Sequence, residues 1–462
     1  MPPVRIAAFL VLVWIALASC ASDPDDVRPE RSSRDSELPR PEVPPAPEFD
    51  ELERRAPLRY PQLLDDPEAA AGADAEIAGG RAPLETEAGS SGDLTADREG
   101  AAGRAGSPPR LRLPTDPQLE DLLASLSLRR RIGQRFIAAI QGSSITYGAG
   151  RAIIEASPAG FIVYPWNFGS AADVRRLSAS LQNLAESVTP GIRLILCADQ
   201  EGGRVATFRF PEFLRLPAAH HMAKLGAGPV EAGAYLTALQ MRALGLNMNL
   251  APVLDVYGSP DDSIIGDRSY SGDPETVASL VEPYLRGSRA GGVISVAKHF
   301  PGHGITTVDS HAELPVVSTT LNELRARDLL PFGTAISAGV EVIMTAHILF
   351  ESIDPFYPVT LSRVFLTSIL RRELGFTGVV MSDGLEMGAI RNNYDLNESL
   401  IRMFKNDVDL ILLFAGYDVI DVVDRVVELV RLGEISEDDV DRGVRRVLAL
   451  KLRNGLADPG EL

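Results

Sequence analysis

Downstream of residue 116, short continuous apolar runs alternate with longer stretches of helical spacing, and the alternation recurs eight times. The apolar runs occupy 136–140, 161–164, 194–198, 248–253, 294–297, 342–345, 378–381 and 410–414. Between them, residues 171–188, 230–244, 274–290, 321–337 and 362–374 carry the helical period. Strands apolar on both faces must be covered on both, which predicts a parallel sheet enclosed by helices. Eight such units suit an α/β fold of the TIM-type (β/α)8 barrel kind, in a single domain. An open doubly wound sheet is the alternative. It would place a glycine-rich phosphate loop after its first strand, and none follows residue 140. Hydrophobic residues make up 45% of the 462, ample for such a core.

The segment before the barrel has another character. Residues 1–20 read as a bacterial lipoprotein signal peptide. Arg5 precedes an apolar run, and Leu17-Ala18-Ser19 leads into Cys20, the expected lipidation site. That run is short beside the about 20 apolar residues of a bilayer-spanning helix, although an uncleaved anchor is the other reading. Residues 21–114, rich in Pro, Glu, Asp, Arg, Ser, Ala and Gly, lack an apolar period and read as a disordered acidic linker. A short ordered piece at 58–64 would interrupt it. The barrel domain takes up 115–462, opening on a helix marked by Leu119, Leu122, Leu123 and Leu126. Cys197, inside an apolar strand, has no partner in sequence and reads as a core thiol. A net charge of -18 with no basic stripe argues against nucleic acid as a partner.

In this fold, functional groups sit just after the strands, because the C-terminal face of the barrel carries the site. The sequence meets that test. Asp199 follows the third run, Lys298 and His299 the fifth, His347 the sixth and Asp383 the seventh. The segment from Lys298 to His311 holds three of the six histidines. Asp309 stands two residues before His311, and a carboxylate there can orient an imidazole and favour its protonated form. Asp383, where a strand enters a small-residue turn, suits the nucleophile of a retaining glycosidase, or else a helix cap. Lys298 and His299 lack an evident partner and suit sugar hydroxyls, with a buried ion pair as the alternative for Lys298. His303, between two glycines, reads as structural. Asp199 can accept hydrogen bonds from vicinal hydroxyls. Arg204 and Arg268 are fork-shaped donors to a substrate, or braces for neighbouring carboxylates. No metal site and no cofactor are expected, since no further carboxylate stands at ligand spacing from these histidines.

Taken together, DQEGGRV (199–205), NLAPVLDV (249–256), IGDRSY (265–270), KHFPGHG (298–304), DSH (309–311), MTAH (344–347) and SDGLEM (382–387) resemble glycoside hydrolase family 3, in its β-N-acetylglucosaminidase branch. The resemblance implies a barrel that removes terminal β-linked N-acetylglucosamine with retention of configuration. It implies Asp383 as nucleophile and His311 as acid/base assisted by Asp309. Asp199, Arg268, Lys298 and His299 become sugar-binding residues. Relatives acting on glucosides and xylosides take their acid/base from a second domain. With the chain ending at Leu462, His311 is expected to do that work within the barrel. The family's further substrate-binding arginine falls here at Thr207, which leaves Arg209 to replace it through a rearranged loop or the pocket to differ. The expected substrate is an N-acetylglucosamine-containing glycan or muropeptide, met by an exported, lipid-tethered protein at the periplasmic or cell-surface side of a membrane. Two other functions share these residues. One is a phosphorylase, because an imidazole base repels incoming phosphate less than a carboxylate does. The other is a non-catalytic glycan-binding envelope lipoprotein.

Overall fold

The structure, a computed structural model, describes residues 116–145, 147–257, 264–306, 308–414 and 416–461. The signal peptide, Cys20, the acidic linker and the piece at 58–64 lie outside the described residues. Eight strands form a closed, wholly parallel barrel. They are β1 Phe136–Ala139, β2 Gly160–Ile162, β3 Ile195–Ala198 and β4 Met248–Asn249, then β5 Ile294–Phe300, β6 Val342–Thr345, β7 Val379–Gly384 and β8 Leu410–Leu413. Each pairs with its neighbours in sequence, and β8 returns to β1 with Ile137 opposite Leu412. No open edge remains in the barrel sheet.

Each strand lies at an expected run, but two go further. β5 continues through Lys298 and His299 to Phe300, and β7 continues through Asp383 to Gly384. Polar side chains did not stop them, because the barrel still supplies backbone partners there. The Phe300 carbonyl accepts the Ala346 N–H at 2.8 Å. β4, by contrast, is only two residues long. The helical period at 321–337 belongs to two helices, Leu321–Ala326 and Leu329–Ser337, parted at Arg327. Local starts are those the side chains dictate: α1 Pro117–Ser125 is capped by Asp116, α2 Ala171–Val188 by Ser170 and α3 Pro274–Ala290 by Asp273.

Alternate strand residues build the interior. Ile137, Ile162, Ile195, Cys197, Met248, Val296, Val342, Met344, Met381 and Leu412 join one buried cluster, with Cys197 a free core thiol. The last helix, α4 Glu437–Arg453, adds Val447 and Leu450 to it. Around the strands' N-terminal ends, Arg371 and Arg446 pair with Asp409, while the Arg135 guanidinium donates to the Asp409 carbonyl at 2.8 Å. Charge at that end holds the barrel shut. Charge at the other end is differently arranged.

Candidate active site

β3 leads directly into a small antiparallel hairpin, Gln200–Gly202 against Val205–Ala206, which turns Glu201 inward. Lys298, buried on β5, donates to Asp199 Oδ1 at 2.7 Å and stands 2.8 Å from Glu201 Oε1. Arg268 grips the same Glu201 as a fork, Nε to Oε2 at 2.9 Å and Nη2 to Oε1 at 2.8 Å. Burial would raise the Glu201 carboxyl, but the Lys298 and Arg268 charges outweigh it and hold the pKa at about 2. Burial would likewise lower Lys298, and Asp199 and Glu201 reverse that and hold it above the ordinary lysine value. Lys298 is therefore a partner in a buried ion cluster, the alternative its sequence context left open. Glu201 lay inside the quoted motif without a role, since nothing local told it from its neighbours. Asp199, with 28% of its side chain exposed, is the cluster member open to a ligand.

The two other arginines are engaged elsewhere. Arg204 Nη2 donates to the Ile264 and Ile265 carbonyls, and its Nε lies 3.2 Å from Asp267. Its role here is the bracing one. Arg209 folds back on its own loop, with Nε on the Ala206 carbonyl and Nη2 on that of Arg204. The expected reach of Arg209 into the site is thus not what the loop adopts, because nearby carbonyls satisfy its guanidinium first. Thr207 donates its hydroxyl to the Asp199 main-chain carbonyl at 2.9 Å, so it ties the hairpin to the Asp199 backbone and supplies no cation.

A second missed residue organises the histidines. Asp255, fully buried after β4, accepts the His299 N–H at 3.1 Å and the His303 N–H at 2.7 Å on Oδ1. Its Oδ2 lies 2.8 Å from His299 Nδ1. Burial pushes this carboxyl up, yet His299 and the backbone donors leave it below the ordinary aspartate value. His303 is structural, as expected: its ring nitrogens meet Ser310 Oγ and Thr306 Oγ1, and burial drops its pKa to about 4. A neutral ring therefore pins the turn from 301 to 311.

The far end of that turn lies against the segment that follows β7. The Gly388 and Ala389 N–H groups donate to the His311 and Ser310 carbonyls at 3.0 and 3.1 Å, docking it on the helix that follows β7. Asp309 Oδ1 accepts the His311 N–H at 3.0 Å and lies 2.8 Å from His311 Nδ1. Both side chains are exposed, His311 by 67%. The Asp309 pair therefore leaves Nε2 as the ring nitrogen free for substrate.

Asp383 lies within β7. The helix after it is capped by Met387, so the capping alternative does not apply. Its Oδ1 accepts the Gly384 N–H at 2.8 Å. Burial opposes ionisation, but His299, His347, the Gly384 amide and His311 together lower the pKa below the ordinary aspartate value. His347, fully buried at the end of β6, meets the Gly384 carbonyl through Nε2 at 3.0 Å and Thr360 through Nδ1. The carbonyl contact makes Nε2 the protonated nitrogen. Gly384 lets the Phe414 ring close directly over the strand: a Cβ would sit 2.1 Å from it. Asp383 is thus an ionised carboxylate in a fixed direction, and the Asp309-oriented imidazole of His311, docked beside the same strand, is close enough for its charge to act on it. That pairing fits acid/base-assisted displacement at an acetal carbon.

Residues 129–450 match the model of the Glycosyl hydrolase family 3 N terminal domain. A β-hexosaminidase of Stenotrophomonas maltophilia is 39% identical over 238 residues, covering 50% of this chain and 68% of that protein. A glycoside hydrolase family 3 β-N-acetylglucosaminidase from Paenibacillus superposes with a TM-score of 0.69 at 38% identity, over 72% of this chain and 63% of its own. A β-N-acetylhexosaminidase from Beutenbergia cavernae gives 0.66 at 29% identity, over 71% and 98%. The strand order, the residues gathered at the strands' C-terminal ends and these matches agree, and the chain belongs to glycosyl hydrolase family 3.

Proposed function

We propose that the protein is a retaining exo-β-N-acetylglucosaminidase that removes terminal β-linked N-acetylglucosamine from peptidoglycan fragments or related glycans. The observation that carries this reading is the ionised Asp383 on β7 with the Asp309-oriented His311 docked beside the same element. In the first step an Asp383 oxygen bonds to the anomeric carbon as the glycosidic C–O bond breaks. His311 gives its proton to the departing oxygen. In the second step His311 takes a proton from water, the water oxygen bonds to the anomeric carbon, and the Asp383 ester bond breaks to return the carboxylate. Two inversions leave the configuration retained. Asp199 receives sugar hydroxyls while Lys298, Arg268 and Glu201 hold it in position, and His299 presents its ring from the Asp255 bracket.

Purified protein is expected to release N-acetylglucosamine from a chromogenic β-N-acetylglucosaminide, not from the glucoside, and to do so without phosphate. Asp383→Ala should abolish turnover. Strict phosphate dependence with a sugar 1-phosphate product would replace hydrolysis by phosphorolysis, and muropeptide binding without any release would make the chain a binding protein.

The residues at 1–20 support a finer reading, in which the protein is exported and lipidated on Cys20, then tethered at the periplasmic or cell-surface side by the linker. Among the described residues no helix is long and apolar enough to cross a membrane. Cys20→Ser should move the protein from the membrane fraction to the soluble one. Unchanged fractionation would end this reading.

A further inference from the structure

One large aromatic at the strands' C-terminal face has no part in the chemistry above. Trp166, four residues beyond the end of β2, is 54% exposed. It is nevertheless held firmly. Its indole N–H donates to the Ile140 carbonyl at 3.2 Å, and its ring stacks on Tyr164 at 4.3 Å with planes 20° apart. The neighbouring Asn167 is fully buried and donates to the Ile140 and Gly142 carbonyls while accepting the Tyr164 N–H. One ring face is covered and the turn beneath is locked, so the exposed surface keeps a fixed direction.

That surface connects with the site. Tyr164 meets Phe414 edge-on at 6.0 Å, and Phe414 packs directly on Gly384, next to Asp383. Burial first, then the charges of Asp199 and Asp383 among its neighbours, raises the Tyr164 phenol well above the usual range, so the ring lies within electrostatic reach of both carboxylates. Exposed Gln141, Ser143 and Ser144 lie on the loop to which the turn is bonded. An aromatic face bordered by amide and hydroxyl groups matches a pyranose ring, with its apolar C–H face and polar rim. An exo-acting site holds one sugar at Asp383 and directs the remainder of the chain outward, past the loops of this same face, of which the Trp166 turn is one.

Resting on the hydrolase reading above, we infer that Trp166, backed by Tyr164, is the stacking platform for the first sugar ring of the leaving aglycone. The platform selects glycan substrates over glycosides with small aglycones.

The full chain contains two tryptophans, Trp14 within the proposed signal peptide and Trp166, so Trp14→Phe in the unprocessed full-length chain makes Trp166 the sole indole emitter. In that chain carrying Asp383→Ala, titration with the β-1,4-linked N-acetylglucosamine disaccharide should change Trp166 emission, whereas a methyl β-N-acetylglucosaminide should not. In the active chain, Trp166→Ala should lower the ratio of kcat/KM for disaccharide over methyl glycoside about tenfold, and Trp166→Phe should retain most of it. An unchanged ratio, or emission indifferent to the disaccharide, overturns the platform. Wild-type protein that cleaves neither glycoside overturns the hydrolase reading instead, and the emission titration still decides whether Trp166 meets a sugar.

Discussion

The His311 side chain is exposed, and its ring is oriented by Asp309, so its contribution should be chemical more than structural. His311→Ala is expected to cost roughly 100-fold or more in kcat/KM on alkyl glycosides, and little on glycosides with acidic phenol leaving groups. Equal losses on the two series would remove the acid role. Glu201 is the contrasting residue. Its pKa of about 2 lies below the ordinary 4.5, so it adds stability above pH ~4.5 that is lost as pH falls toward 2. The linkage is worth on the order of 3 kcal/mol. Glu201→Gln leaves Lys298 and Arg268 sharing a neutral amide in a buried site, a change of roughly 3–5 kcal/mol. Denaturant melts at neutral pH should show that loss, and a wild-type melt with only KM altered would make Glu201 a sugar contact and not a keystone.

The turn from 301 to 311 is the element on which the proposed mechanism depends, and it rests on a buried carboxyl. Gly302, at φ 143°, lies so close to Asp328 that a Cβ would meet the Asp328 Cβ at 2.8 Å. Asp328 is 2% exposed, and its Oδ1 has no hydrogen-bond partner among the described residues. Burial, aided by the Asp255 charge, raises its pKa to about 7. The sign follows from the raised value: the unfolded chain ionises near pH 4 while the folded one keeps the proton. Stability therefore falls as pH rises from about 4 to about 7, by on the order of 4 kcal/mol. Asp328→Asn should remove that slope, gaining over wild type at pH 8 but not at pH 4. Parallel stability curves for the two proteins would show that Asp328 does not titrate in this range.

Across the whole molecule, ionisable groups divide between the barrel's two ends. At the N-terminal end arginines and aspartates pair with each other and close the fold. Lys451 is an exception. It is fully buried on α4, its Nζ donates to Gln134 Oε1 at 2.7 Å, and burial lowers its pKa to about 7. Below the unfolded value of 10.5, the unfolded chain binds a proton that the folded chain refuses until about pH 7. Stability therefore falls as pH drops from about 10 to 7 and levels off beneath. The span is roughly 5 kcal/mol. Lys451→Met should flatten the curve over that interval in thermal melts, and an unaltered slope would mean that Lys451 stays charged in its pocket.

Much of this protein follows from local pattern alone. Eight apolar runs with helices between them specify a parallel sheet, because a strand covered on both faces is apolar throughout, and their number suits the barrel that the pairing of β8 with β1 then closes. The barrel then explains why Asp199, Lys298, His347 and Asp383 stand at strand ends. The Asp309–His311 pair is also local, two residues apart and bonded as spaced. What the sequence leaves open depends on contacts between distant segments. Glu201 is joined to Arg268 across 67 residues, Asp199 to Lys298 across 99, and Asp255 to His299 across 44. Such partners are chosen by where the barrel ends bring backbones together, and no periodicity encodes that choice. Arg209 shows the same limit: its spacing allowed a reach into the site, and nearer carbonyls captured it. The sequence by itself determined the architecture and the groups able to do chemistry. Only the tertiary structure decided which charges neutralise one another and which stay open to a sugar, because burial and pairing are settled across the closed barrel.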